Sequence, residues 1–114
     1  MRGDRIRGHL DALLLAALAE GAEHGYGVAS WLRARSGREL DLPEGTIYPA
    51  LHRLEKAGLA SSRLQVSRGR RQRIYALTPR GHEALSEQRA EWARFSAVVG
   101  DILLGPSAEQ KPPR

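Results

Sequence analysis

The sequence predicts a mainly α-helical protein carrying one small β-hairpin. Three observations lead there. Apolar residues recur at three- and four-residue steps in four separate stretches, the period changes to two around residues 59–66 and 72–77, and glycine or proline marks nearly every change. At 114 residues the chain is one domain's worth, with a core small enough to gain from a partner subunit.

The first helix is carried by Leu10, Leu13, Leu14, Ala17 and Leu18, which share one face, and Gly21 is a natural left-handed stop. A second pattern runs from about Tyr26 to Arg35. Val28, Ala29, Trp31 and Leu32 are available for the core, Ser36-Gly37 closes the helix, and "EHGYG" is the turn before it.

The third helix lies within "LPEGTIYPALHRLEKAGLA". Ile47, Ala50, Leu51 and Leu54 fall on one face, while Gly45, Pro49, His52 and Lys56 fall on the other, flanked by Tyr48 and Arg53. Its start has two solutions. With Thr46 as N-cap, Pro49 sits harmlessly in the first turn; with a start at Pro43, Pro49 is interior, lacks an N–H for the helical ladder, and predicts a kink.

After Gly58 the alternation places Leu59, Ser61 and Arg63 on one side and Ala60, Ser62, Leu64 and Val66 on the other. "RIYALT" resumes as a second strand. The two strands around "SRGRR", a five-residue connection with glycine, predict an antiparallel hairpin. Thr78 followed by Pro79 is an N-cap with proline at the first helical position. The last helix carries Leu85, Trp92 and Val99 at seven-residue spacing, with Gln88, Phe95 and Ile102 interleaved, which is a coiled-coil seam suited to a second copy of the chain. The expected organisation is a unit of three helices and a hairpin over 1–78, a dimerisation helix over 79–104 and a disordered tail over 105–114, which lacks apolar periodicity.

Charge gives this architecture a purpose. The formal net charge is +5, equal to the five arginines at 63, 68, 70, 71 and 73, and no carboxylate occurs between Gly58 and Tyr75. Clustered in this way they attract a polyanion. Helix, helix, helix, hairpin, helix is the order of a winged helix-turn-helix, in which the third helix enters the major groove of DNA and the hairpin follows the flanking backbone. The candidate DNA contacts are Thr46, Tyr48, Pro49, His52, Arg53 and Lys56 on the third helix, and Arg68, Arg70, Arg71 and Arg73 on the wing. The wing arginines suit phosphates or a narrow minor groove, leaving base reading mainly to the helix.

The stretches "LDALLLAALAEGAEHGYGVASWL", "EGTIYPALHRLEKAGLA" and "GRRQRIYALTPRGHEAL" together resemble the PadR-type transcriptional regulators over roughly residues 9–104. The resemblance implies a homodimeric winged-helix repressor on a two-fold-symmetric DNA site, joined through its C-terminal helix and often its first helix. The single helix after the wing is similar to the smaller subfamily. Some of its members bind planar aromatic or hydrophobic compounds at the dimer interface, stacked on a tryptophan of the last helix. Trp92 falls at that position.

Other chemistries find no support in the residues. Without cysteine there is no disulfide framework, zinc–thiolate site or thiol catalysis, and a reducing, cytoplasmic setting is expected. His9, His24, His52 and His82 lack the spacing of a ligand pair, no nucleotide-binding fingerprint occurs, and neither enzyme activity, metal nor cofactor is expected. The run "LLLAALA" after Arg2, Arg5 and Arg7 loosely imitates a signal peptide, but Asp11 and its shortness favour an amphipathic helix, and no run approaches the ~20 apolar residues of a membrane span. The rival reading is a winged-helix module that binds nucleic acid without effector-controlled regulation.

Overall fold

The computed structural model describes residues 7–106. A single 3-10 turn, Arg7–His9, leads into α1 (Leu10–Ala19), followed by α2 (Gly25–Arg35), α3 (Glu44–Lys56), β1 (Ala60–Ser67), β2 (Arg70–Leu77) and α4 (Pro79–Leu104). The N-terminal arginines at 2 and 5, and the expected tail beyond Pro106, lie outside the described residues.

One core holds the first three helices and the base of the hairpin together. Leu14, Leu15, Val28, Ile47, Leu51 and Leu54 are its largest fully buried side chains, joined by Ala60 and Tyr75 from the hairpin and Leu85 from α4. Each is placed there by the helical or alternating spacing of its segment. Burying such a side chain contributes about 1.5–3 kcal/mol.

The ends of the elements are fixed by specific contacts. Gly21, at φ +98°, follows α1 as the left-handed stop. At the start of α2, His24 is more than a turn residue: its Nδ1 accepts the Gly27 N–H at 3.0 Å, making it the N-cap. At the start of α4, Thr78 Oγ accepts the Gly81 N–H at 3.1 Å and donates to the Gly58 carbonyl at 2.6 Å. The same threonine therefore caps a helix and ties it to the turn after α3. Gly81 is buried, and a β-carbon there would collide with the backbone carbonyl of Leu59.

Of the two starts open to the third helix, the structure adopts the earlier. The cap is Pro43, the Thr46 N–H donates to its carbonyl at 2.9 Å, and Thr46 is inside the helix rather than capping it. Pro49 is interior, yet the helix runs uninterrupted from Glu44 to Lys56. The Gly45 carbonyl loses its i+4 donor, but Gly45 and Pro49 are both exposed, so solvent can satisfy that oxygen.

The hairpin is longer and tighter than the alternation alone indicated. Pairing extends to Ser67 opposite Arg70, which reduces the expected five-residue connection to Arg68-Gly69. Both residues have positive φ, +53° and +76°, the mark of a type I′ turn, whose twist matches that of the strands it joins. At the other end, the Tyr75 N–H donates to the Glu23 carbonyl at 2.7 Å and anchors β2 to the loop before α2.

α4 separates into two halves. Leu85 is buried in the core of its own domain, whereas Trp92, Phe95, Val98 and Ile102 are 53%, 55%, 54% and 76% exposed. No helix among the described residues is long and apolar enough to cross a membrane.

Candidate nucleic-acid interface

The burial pattern of α3 selects its outward face. Ile47, Ala50, Leu51 and Leu54 are buried at helical spacing, so Gly45, Pro49, His52 and Lys56 form the opposite, exposed row. Thr46 is also exposed and lies on the same flank as Arg53. The two long side chains beside this row differ in what they do. Tyr48 is 37% exposed, and its ring rests against Gly25 of α2, where a β-carbon would collide with it. The Arg53 guanidinium turns toward α1 and pairs with Asp11, Nη2 to Oδ1 at 2.8 Å, with both side chains about half exposed. A screened surface pair of this kind is worth about 1 kcal/mol at most, so a phosphate could draw Arg53 away at small cost.

The register of the hairpin sorts the wing arginines. Arg71 faces Val66 across the strands and Arg73 faces Leu64, on the side that also carries Ser62 and Tyr75; Arg70 and Arg63 project from the opposite side, and Arg68 occupies the turn. All five are exposed, and no ion pair among the described residues involves Arg68, Arg70 or Arg71. Their positive charge is therefore available to a polyanion.

Between wing and helix runs a short polar chain that periodicity could not disclose. The Ser62 hydroxyl donates to Glu55 Oε2 at 2.7 Å and accepts from Arg73 Nη1 at 3.0 Å. Beneath it, burial pushes the Tyr75 hydroxyl above its ordinary pKa, with the Glu55 carboxylate adding to the rise and Arg73 opposing it. Glu55 was not among the residues expected at the site. The only sequence signal was its position one step outside the exposed row.

A second surface lies on α4, where Trp92 meets His9 edge-on at 5.2 Å between ring centres and Phe95 in a tilted arrangement at 6.0 Å. Of the seam residues, Leu85 is taken up by its own domain, Gln88 is exposed and polar, Val99 is half-buried, and the exposed apolar stripe begins at Trp92. Val98, absent from the expected seam, widens it.

The fold, the exposed face of α3 and the arginine wing together define a comparison class, and a sequence model of the transcriptional regulator PadR-like family matches residues 14–87, more than half of the chain. The chain belongs to that family. Among the relatives of the chain, the transcriptional regulator Rv3488 of Mycobacterium tuberculosis is 40% identical over 77 residues, 67% of this chain and 68% of its own length. A transcriptional regulator from Clostridium thermocellum has the same fold at a TM-score of 0.80, with 30% identity across 89% of this chain and 99% of that one. The PadR of Bacillus subtilis, solved in complex with operator DNA, superposes at a TM-score of 0.63 with 25% identity, over 69% of this chain and 45% of its own. The PadR-like match spans α2, α3, the whole hairpin and the first third of α4, so it contains every expected DNA contact and stops short of Trp92.

Proposed function

We propose that this PadR-like regulator works as a homodimeric, DNA-binding transcriptional repressor, with α3 in the major groove and the arginine wing on the flanking backbone. One observation carries the reading. The row Gly45, Pro49, His52 and Lys56 is free of core contacts and has beside it a wing whose Arg68, Arg70 and Arg71 have no ion-pair partner among the described residues. On this reading Tyr48, His52 and, once drawn from Asp11, Arg53 read base edges, Thr46 reaches the backbone, Lys56 contacts a phosphate, and Pro49 shapes the surface. The exposed stripe from Trp92 to Ile102 supports pairing of two copies, which brings two recognition helices to half-sites ~34–36 Å apart.

The same stripe supports control by a small molecule. Trp92 is half exposed beside Phe95, and a flat aromatic or hydrophobic ligand stacked there would lie at the junction of two subunits. To release DNA it has to bind the DNA-incompetent arrangement more tightly, because equal affinity for both arrangements shifts nothing.

The test is fluorescence anisotropy of the full chain on a duplex from its own upstream region, on a scrambled duplex and on single-stranded RNA, over a salt series. Preference for the upstream duplex with two protomers per site is expected. Equal, salt-sensitive binding to all three would replace the repressor with a non-specific nucleic-acid module.

A further inference from the structure

The wing is held to the body mainly at its base. Tyr75 N–H to Glu23, Thr78 N–H to Leu59 and Thr78 Oγ to Gly58 all lie at or before the Ser62–Tyr75 pair. Beyond that pair, Leu64 and Val66 on the α3 side are exposed rather than packed. From Ser62 to Ser67 the strand is a free lever of about 17 Å, so a tilt of roughly 10° at its base moves the arginine tip by about 3 Å, the length of a hydrogen bond.

The outermost polar tie on this lever is the Glu55–Ser62–Arg73 chain, and its chemistry permits one arrangement. A carboxylate only accepts and a guanidinium only donates, so the hydroxyl between them gives its single proton to Glu55 and offers a lone pair to Arg73. Both contacts are charge-assisted, and that to Glu55, at 2.7 Å, is short. The chain also answers for an acidic side chain on the edge of a DNA-facing helix. Bare, Glu55 would repel phosphate; here an arginine of the wing offsets it.

We propose that Glu55, Ser62 and Arg73 form a strut that sets the angle between wing and recognition helix, so that Ser62 and Glu55 are positioning residues for DNA recognition. The inference deepens the repressor reading and rests on it for its functional part. Arg73 thereby differs from Arg70 and Arg71: it aims the wing as well as carrying charge.

The experiment uses the ¹⁵N-labelled full chain and its Ser62→Ala and Ser62→Thr variants. Residual dipolar couplings of the hairpin amides are measured without DNA, and anisotropy is measured on the upstream and scrambled duplexes. In the parent, the couplings of residues 63–73 fit the alignment shared by the helices. In Ser62→Ala they depart from it, and affinity for the upstream duplex falls about tenfold, more than for scrambled DNA. Ser62→Thr keeps a hydroxyl and restores both. Unchanged hairpin couplings in Ser62→Ala, or equal losses for alanine and threonine, would overturn the strut. A parent that binds both duplexes equally would sink the repressor reading instead, while the couplings still decide the strut.

Discussion

The ring of Tyr48, on α3, occupies the space beside Gly25 that a side chain would need. Two segments separated by 23 positions in sequence are thereby matched, the glycine of "HGY" to the tyrosine of "TIYPAL". The contact sits one residue after the His24 cap, so the geometry of the α2 start and the placement of an exposed aromatic on α3 depend on each other.

Gly25→Ala is therefore expected to push the Tyr48 ring outward. Alanine's better helix propensity works against the loss, leaving a stability cost of about 1 kcal/mol. On the proposed function the effect on DNA should be larger than that cost suggests, because the displaced ring lies beside the exposed row of α3. Thermal melts and upstream-duplex affinity, measured together, check this. Unaltered DNA affinity would show that Tyr48 is not part of the interface.

Much of this arrangement was legible in the sequence. The core face of α3, the helix stop at Gly21, the Thr78 cap and the sidedness of β1 all follow from short-range periodicity and capping chemistry. What stayed hidden depends on backbone angles and on contacts between elements, which periodicity does not encode. The capping role of His24 depends on backbone angles, the extension of pairing to Ser67 and Arg70 on a turn in which an arginine accepts positive φ, and the use of Glu55 on a serine in another element. The seam of α4 was readable as a pattern, but its division at Leu85 was not, because that division depends on how far the other helices reach along it.

Gly81 tests the close junction of hairpin and last helix. In an open helix, glycine to alanine adds about 0.5–1 kcal/mol of stability, and Gly100→Ala, with no neighbour near its added carbon, should show that gain. Gly81→Ala should have the opposite sign, losing about 3 kcal/mol, because the new carbon meets the Leu59 carbonyl, which is backbone and itself accepts the Thr78 N–H. Chemical denaturation of both variants decides it. A gain at both positions would mean that the helix start is loosely held.

Arg68 should show stability and binding moving in opposite directions. Its φ of +53° is costly for an ordinary side chain and acceptable for asparagine. Arg68→Asn is expected to raise stability by up to about 1 kcal/mol while weakening every duplex. If the guanidinium meets a phosphate, the slope of log affinity against log salt falls by about 0.9. Arg71→Ala should reduce the slope equally but leave stability nearly unchanged, since Arg71 is exposed and outside the turn. A stabilised Arg68→Asn with an unaltered slope would show that the turn itself does not reach DNA.

The exposed half of α4 supplies the last test. Trp92, Phe95, Val98 and Ile102 lie along a helix of 26 residues, about 39 Å long, whose own domain covers only its beginning. In a two-fold interface each residue acts twice, so one apolar side chain replaced by a charge removes two buried contacts. At about 1.5 kcal/mol or more apiece, Phe95→Asp should weaken self-association on the order of a hundredfold. Ala97 follows Phe95 by two positions and lies on the far side of the helix from the stripe by the helical repeat, so Ala97→Asp should leave association intact. Multi-angle light scattering would then give twice the 12.6 kDa chain mass for the parent and Ala97→Asp, and the single mass for Phe95→Asp at the same micromolar concentration. If the parent ran at the single mass, the stripe would be left without a second copy to cover it. The pairing of recognition helices would then lose its support, and with it the prediction of a two-fold-symmetric DNA site.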